Sequence, residues 1–556
     1  MYNAAKRPVL PVIVFLALAW YLFFFRLDCI GLTDPDETFY AQTAKEMIAK
    51  GDWLTPHIFG KPLFEKPALF YWLVKASFKL FGTNEIAARM PSAIFGAIGL
   101  LAVYLLGNLL FSRRVGLIAA VMLGTSVEYV VLARACVTDM VLATLMLLGV
   151  LAFFQAHIKG RRHFYLLSAV FFALAVLTKG PVALMLPGLI FALYFIFTGD
   201  WKNFGNIPIA AMISVFLVVS APWYIAMYKV HGSAFVDSFF GFQNITRFMQ
   251  SEHKIGSQVY YNIPILLAGF FPWSVFLPIG LLRAFNKSIS DKRSKVDLRK
   301  NGLIFALTWF FVVFIFFTVS STKLPTYIFP CFFSAALITA VCWEDFLEKK
   351  LSAAGDKWMK VSYYALLGAV ALSAVAAQVY LGAKYPLLFK HIAAASSILI
   401  FGMASSLIAF FNGKRVWTLA LIAFSMIIFF YPISGLILPD LDDFETSRAV
   451  ASELSRRMAP GERLGSESRY MEGLAFYTGM IPQNLDRHHD MVTFLSGKDR
   501  VWCVLKEKNH IQLYTLDHLP RYEQDTYMVY KLGKRAIVTN KIPDDGKYLV
   551  KRGKIK

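Results

Sequence analysis

The sequence predicts a polytopic α-helical membrane protein of about thirteen transmembrane helices, followed by a C-terminal soluble α/β domain. Three observations carry this. Of 556 residues, 57% are hydrophobic and only 17% charged, outside the range of soluble chains. Apolar runs fit to cross a bilayer recur at 9–26, 90–111, 115–132, 138–157, 163–178, 181–198, 208–227, 260–282, 301–320, 325–343, 361–382, 391–411 and 417–436. With a cytoplasmic N-terminus, the basic connections all fall inside: Arg113 and Arg114, Lys159 to Arg162, Lys202, Arg283 to Lys300, Lys349 to Lys360, and Lys414 with Arg415. Short loops rich in Lys and Arg stay inside, so the net charge of +21 reports topology and implies no nucleic-acid partner.

In chain order, Lys6 and Arg7 precede the first run and no small-residue cleavage site follows it, which predicts an uncleaved anchor. A polar, aromatic stretch follows, TDPDETFYAQTAKEMIAKGDWLTPHIFGKPLFEKPALFYW from Thr33 to Trp72, within a loop expected over 28–89. Asp34 is expected as a helix N-cap, Pro35 at the first helical position and Glu37 returning a bond to the cap. First-turn acids also complement a helix dipole without any chemistry. Phe39, Tyr40, Ala44, Met47 and Ile48 form a stripe suited to a helix lying on the membrane surface, and Pro67 to Leu80 reads as a second amphipathic segment.

The same topology sends the turn before Asp139, the loop from Lys229 to Val259, the turn from Ser320 to Pro325 and everything after about Pro439 to the non-cytoplasmic face. Two domains are expected, 1–439 in the membrane and 440–556 outside it, the latter with a helix in SRAVASELSRRM and strands in RVWCVL and TYMVYKL. Five scattered cysteines show no disulfide or metal-ligand spacing. His488 and His489, without a spaced third ligand, read as surface residues, and no glycine-rich phosphate loop follows a strand, which argues against a nucleotide-sugar donor.

The run DETFYAQ, then GDWLTP, then FEKP followed by YW resembles the first periplasmic loop of the bacterial aminoarabinose transferase family, glycosyltransferase family 83. That family belongs, with the protein O-mannosyltransferases, to the GT-C glycosyltransferases, which take sugar from a polyprenyl phosphate. The likeness extends to Thr138-Asp139-Met140, to Asn244 through Phe248 with His253, to Pro272-Trp273-Ser274, and to Ser321 through Pro325 with Tyr327. It implies a GT-C fold with thirteen helices and a periplasmic C-terminal domain.

Position by position, the resemblance implies that Asp36 is the acid at the centre of the site and Asp139 a second acid facing the same cavity, with Glu37 beside them as a third candidate catalytic acid. It implies that Lys66 grips the carrier phosphate near Tyr327, and that Glu65 is a metal ligand, His253 being the candidate to share a divalent ion with it. No other cofactor is implied. Two positions depart: Phe39 stands where the family has Arg, and Leu63 where it has Tyr. Both lost groups contact phosphate in the family, so the grip is rebuilt here or the substrate pair differs.

The leaving group of a polyprenyl phosphate sugar is an anionic phosphate, so cations that tighten on it as charge develops lower the barrier. Lys66, Arg247 and Lys323 are the candidates, with Tyr40 and Tyr327 as further substrate contacts; each base has a plain reading as a headgroup contact. A hydroxyl acceptor needs a base, for which Asp36 is placed; a phosphate acceptor, as on lipid A, needs none, and Asp36 then orients the sugar. The expectation is a monomeric inner-membrane enzyme with a periplasmic site, moving 4-amino-4-deoxy-L-arabinose or a related sugar from undecaprenyl phosphate to lipid A or another envelope glycolipid, among membrane lipids. The alternatives are a same-fold transferase with another sugar or a protein or polysaccharide hydroxyl acceptor, and a flippase or transporter for lipid-linked sugars. Transporters place ionisable groups near mid-membrane on broken helices, whereas these acids and lysines cluster at one edge.

Overall fold

The structure is a computed structural model that describes residues 9–246, 258–290, 297–512, 525–533 and 535–552. Helices dominate it up to about residue 445. In order they are α1 (Val9–Ala19), α2 (Asp36–Ala49), α3 (Leu69–Phe81), α4 (Glu85–Leu110), α5 (Arg113–Gly124), α6 (Val127–Ala133), α7 (Thr138–Lys159), α8 (His163–Lys179) and α9 (Val182–Thr198), with longer helices beyond, among them Ile209–His231, Leu298–Val319 and Ala353–Lys384. Seven of the described helices are long and apolar enough to cross a membrane.

Two further apolar stretches are bent helix pairs. The pair α5 and α6 bends by 70°, and Val259–Gly269 with Trp273–Ile289 bends by 113°. The breaks meet: Phe271 O accepts from Val127 N at 3.3 Å, and Trp273 Nε1 donates to Thr125 Oγ1 at 2.9 Å. Broken backbone inside a bilayer is tolerated where protein satisfies its polar groups, which these bonds do. The runs at 115–132 and 260–282, read from sequence as single spans, are corrected to bent ones.

Local chemistry sets the helix ends. Asn84 caps α4 by accepting from Ala87 N, and Ser112 caps α5 by accepting from Val115 N, as N-cap side chains do. Between them α4 and α5 pack at a glycine contact, where a Cβ on Gly107 would lie 2.6 Å from Gly116 Cα. Only small residues let membrane helices approach so closely.

The chain then forms a six-stranded mixed sheet. After the hairpin of β1 (His57–Ile58) and β2 (Lys61–Pro62), its strands are β3 (Arg463–Ser466), β4 (Gln483–Asn484), β5 (Val501–Lys506), β6 (Thr526–Leu532), β7 (Arg535–Thr539) and β8 (Val550–Arg552), in the order β4-β3-β5-β7-β6-β8. Strand side chains alternate between faces. Accordingly Val501, Cys503 and Leu505 pack with Met491 and Leu495 of helix His488–Leu495. Trp502 and Val504 pack on the other face with Leu454 and Leu474 of helices Arg448–Arg457 and Ser468–Thr478.

This unit is bonded to the start of the first loop. Thr33 bridges Thr446, Gly31 N donates to Asp442 Oδ1 at 2.6 Å, and Leu32 N donates to Tyr477 OH at 2.8 Å. Tyr477 OH in turn donates to Glu85 Oε1 at 3.0 Å, at the start of α4.

Candidate active site

Three acids lie within four residues at the start of α2, and they point three ways. Glu37 turns into the bundle. Its carboxylate accepts from Arg89 Nε at 2.8 Å and Nη2 at 2.6 Å, from Cys136 N at 2.7 Å, and from Thr33 N and Oγ1. Burial opposes ionisation there, but the Arg89 charge and these bonds hold the carboxyl below its usual range. With so many donors Glu37 is a fixed anchor, which corrects its assignment as a reacting acid.

Asp34 turns the opposite way. The helix starts at Asp36 with no side-chain cap, so the expected Asp34 cap is corrected. Asp34 instead accepts from Ser447 Oγ at 2.6 Å and Thr38 Oγ1 at 3.2 Å, and pairs with Arg535 Nη2 at 3.3 Å. Burial pushes its carboxyl up to about 6, against Ser447, Arg535 and Thr38, which pull it down.

Asp36, between them, has no hydrogen-bond or ion-pair partner among the described residues and is exposed. The protein packed round it desolvates the carboxyl and, with the like charges of Asp139 and Glu37, raises its pKa, while Arg469 opposes. Asp139 lies in the first turn of α7, and the nearby Arg134 does not pair with it. Arg134 donates to the carbonyls of Leu22, Phe25 and Arg26. The partner of Asp139 is Lys179, whose Nζ donates to Oδ1 at 2.6 Å and stands 5.0 Å from the centre of the Tyr327 ring.

The opposite wall is the FEKP segment, which the β1–β2 hairpin delivers. The hairpin turns through Phe59 and Gly60, both at positive φ, the geometry that two-residue hairpin loops need. Glu46 fixes that turn by accepting from Phe59 N at 2.8 Å and Gly60 N at 2.9 Å. Beside it, the buried Lys75 donates to Met47 O and Asp52 O and lies 4.0 Å over the Trp53 ring. Glu65 lies close enough to Tyr40 and Tyr71 to raise both phenols, after burial. Tyr40 is also raised by Asp139 and Asp36, so the two acids and Glu65 all lie within electrostatic reach of Tyr40.

Phe39 and Leu63 belong to one apolar cluster with Met47 and Tyr71. The two departures from the family pattern are therefore a single local exchange of polar for apolar lining. Lys66 is half-buried next to Glu65, and Lys323 is buried in the turn before Tyr327. Arg247 and His253 lie outside the described residues.

Three residues escaped the sequence reading. Lys179 ends α8, just before Gly180 and Pro181, where the same topological count reaches the non-cytoplasmic side; that signal was present. Arg469 and Glu472 come from helix Ser468–Thr478, where nothing local marks them. Burial, with Asp34 and Glu65 nearby, pushes the Glu472 carboxyl up to about 7 against the pull of its own backbone N–H.

An apolar groove of about 770 Å³ runs between α9, helix Leu277–Ser290 and helix Leu298–Val319, past Leu193, Phe197, Ile289, Phe311 and Val319. Helix Leu298–Val319 also carries Phe317, whose ring lies 5.3 Å from that of Tyr327.

Known proteins match this arrangement. Residues 65–225 fit the dolichyl-phosphate-mannose-protein mannosyltransferase family. The undecaprenyl phosphate-alpha-4-amino-4-deoxy-L-arabinose arabinosyl transferase of Serratia proteamaculans is 30% identical over 56% of either chain. A second protein of that name from Pseudomonas fluorescens is 26% identical over 96% of this chain and its own whole length. The crystal structure of ArnT from Cupriavidus metallidurans bound to undecaprenyl phosphate superposes with a TM-score of 0.78, at 22% identity, over 96% of this chain and 99% of that one. The chain has the aminoarabinose transferase fold. The archaeal oligosaccharyltransferase AglB of Archaeoglobus fulgidus, at a TM-score of 0.51 and 13% identity over 95% of this chain and 74% of its own, shares the broader membrane architecture. The resemblance carried by DETFYAQ, GDWLTP and FEKP thus holds in sequence and in fold.

Proposed function

We propose that the protein is a glycosyltransferase that moves a sugar, 4-amino-4-deoxy-L-arabinose or a close analogue, from undecaprenyl phosphate to lipid A or a related envelope glycolipid. One observation carries this reading. Asp36, Asp139 and Glu65, the neighbour of Lys66, all lie within electrostatic reach of Tyr40, Asp139 pairs with Lys179 beside the Tyr327 ring, and an apolar groove suited to a prenyl chain runs along helix Leu298–Val319. A relative matched over its full length is named as a transferase using that lipid, and the dolichyl-phosphate-mannose-protein mannosyltransferase match covers the Lys66 segment and the Asp139 and Lys179 positions. The protein then spans the inner membrane about thirteen times, with the acids and the 440–556 unit in the periplasm and a monomer sufficient for the site.

In this reading the acceptor oxygen attacks the anomeric carbon as the carbon–phosphate oxygen bond breaks, with inversion. Lys66, Lys323, Arg247 and Tyr327 receive the phosphate as negative charge gathers on it. Lys179, held by Asp139 beside the Tyr327 ring, adds a cation that compensates for the apolar Phe39 and Leu63. Asp36 takes the proton of a hydroxyl acceptor, for which its raised pKa suits it; with a phosphate acceptor it orients the sugar. Among the described residues no three His, Cys, Asp or Glu side chains converge on a metal position, and no step here runs through an ion on Glu65.

The test supplies purified protein with candidate polyprenyl phosphate sugars and lipid A and follows both lipids by mass spectrometry. Free polyprenyl phosphate with a matching mass gain on the acceptor identifies the reaction. Unmodified lipid crossing between leaflets supports a flippase, a reading kept in view by the two bent spans. Asp36→Asn and Lys66→Ala each reduce transfer by at least about 100-fold with unchanged melting, and wild-type turnover in both removes the site assignment.

A further inference from the structure

Asp36 lies within electrostatic reach of two like charges, Asp139 and Glu37, and its carboxylate has no hydrogen bond among the described residues to oppose them. Its place must come from the backbone on either side. On one side Glu37 is fixed to Arg89. On the other, Asp34 is joined to Asp36 through Pro35, whose ring fixes φ and removes a soft dihedral, so a displacement of Asp34 passes to Asp36.

What holds Asp34 belongs to the C-terminal unit. Its carboxylate is fully buried, and Arg535 of β7 is 6% exposed. The Arg535 guanidinium also donates to Thr446 O and lies 4.9 Å over the Tyr470 ring. Gly473 completes the enclosure, because a side chain there would collide with Asp34 Oδ1 and Ser447. A buried carboxylate needs its counter-charge and donors, and Arg535 is the ion-pair partner of Asp34 among the described residues.

We infer that Arg535 is a positioning residue for Asp36, acting through Asp34, and that the C-terminal unit is thereby an integral part of the active site. The catalytic consequence rests on the transferase reading above.

The experiment compares Arg535→Gln, Arg535→Lys, Asp34→Asn and the Arg535→Gln/Asp34→Asn double variant in full-length protein. Arg535→Gln lowers kcat by about 10- to 100-fold, the scale of a small misplacement, with donor KM within about twofold. Lysine restores part of the loss, and the double variant is no worse than the worse single one, as for two residues acting through one contact. A wild-type kcat in Arg535→Gln, a kcat loss that merely tracks the folded fraction, or losses that multiply in the double variant overturn the inference. A second readout does not depend on transfer. The five native cysteines are buried, so an Asp36→Cys thiol reports its own exposure to a water-soluble maleimide. Its labelling rate changes at least about threefold when Arg535→Gln is added, and an unchanged rate overturns the inference even if wild-type protein transfers sugar. If wild-type protein transfers nothing while the labelling shifts, the function fails and the positioning stands.

Discussion

Glu37 and Asp34 are two acids on the same turn, buried on opposite sides of it, and their surroundings have opposite effects. The bundle meets Glu37 with a two-pronged guanidinium and three further donors, which keep it ionised. The C-terminal unit meets Asp34 with one hydroxyl and one longer guanidinium contact, Thr38 of α2 adds a second hydroxyl, and burial prevails. Burial alone does not decide the charge of an acid; the number and geometry of donors do. One anchor is permanent, the other adjustable.

The largest effect comes from breaking the permanent anchor. Arg89→Ala leaves Glu37 buried without its counter-charge, a loss of about 3–5 kcal/mol, read as a large fall in melting temperature in detergent and little folded protein. The adjustable anchor is sharpened by pH. The folded-state pKa of Asp34 is about 6, above the ordinary value of about 3.9. The folded protein therefore binds this proton more tightly, and the contribution to stability is fullest below about pH 4 and is lost as pH rises through 6. Between about pH 7.5 and about pH 5 that amounts to about 1.4 kcal/mol, and comparing Asp34→Asn with wild type at both values isolates it; equal pH responses refute it. The smallest effect concerns the rim of the same interface, where Lys45 Nζ donates to Phe476 O at 2.6 Å. Lys45→Met costs about 0.5–1.5 kcal/mol, the net value of one hydrogen bond, by chemical denaturation.

Apolar runs and basic loops located the helices because bilayer thickness and loop charge act through local composition. They did not reveal the bends at Thr125 and Phe271, because those depend on two breaks meeting and satisfying each other. The DPDE motif identified the right turn but not the directions of its acids. Asp34 looked like a cap while its partners lie at Ser447 and Arg535, and Asp139 is met by Lys179 from another helix. Ion pairs across hundreds of residues leave no trace in spacing. The C-terminal strands in RVWCVL and TYMVYKL were legible from alternation, whereas the use of that sheet to hold the first loop was not.

The Asp34–Arg535 contact joins residues 501 positions apart. A chain made from its N-terminus inserts the helix bearing Asp36 long before β7 exists. Its membrane spans can all be in place while the reacting turn still lacks one of its two supports. If Arg535 positions Asp36 as inferred, completion of the last strands is what turns an inserted protein into a working one, and activity is withheld from any chain whose synthesis stops short of them.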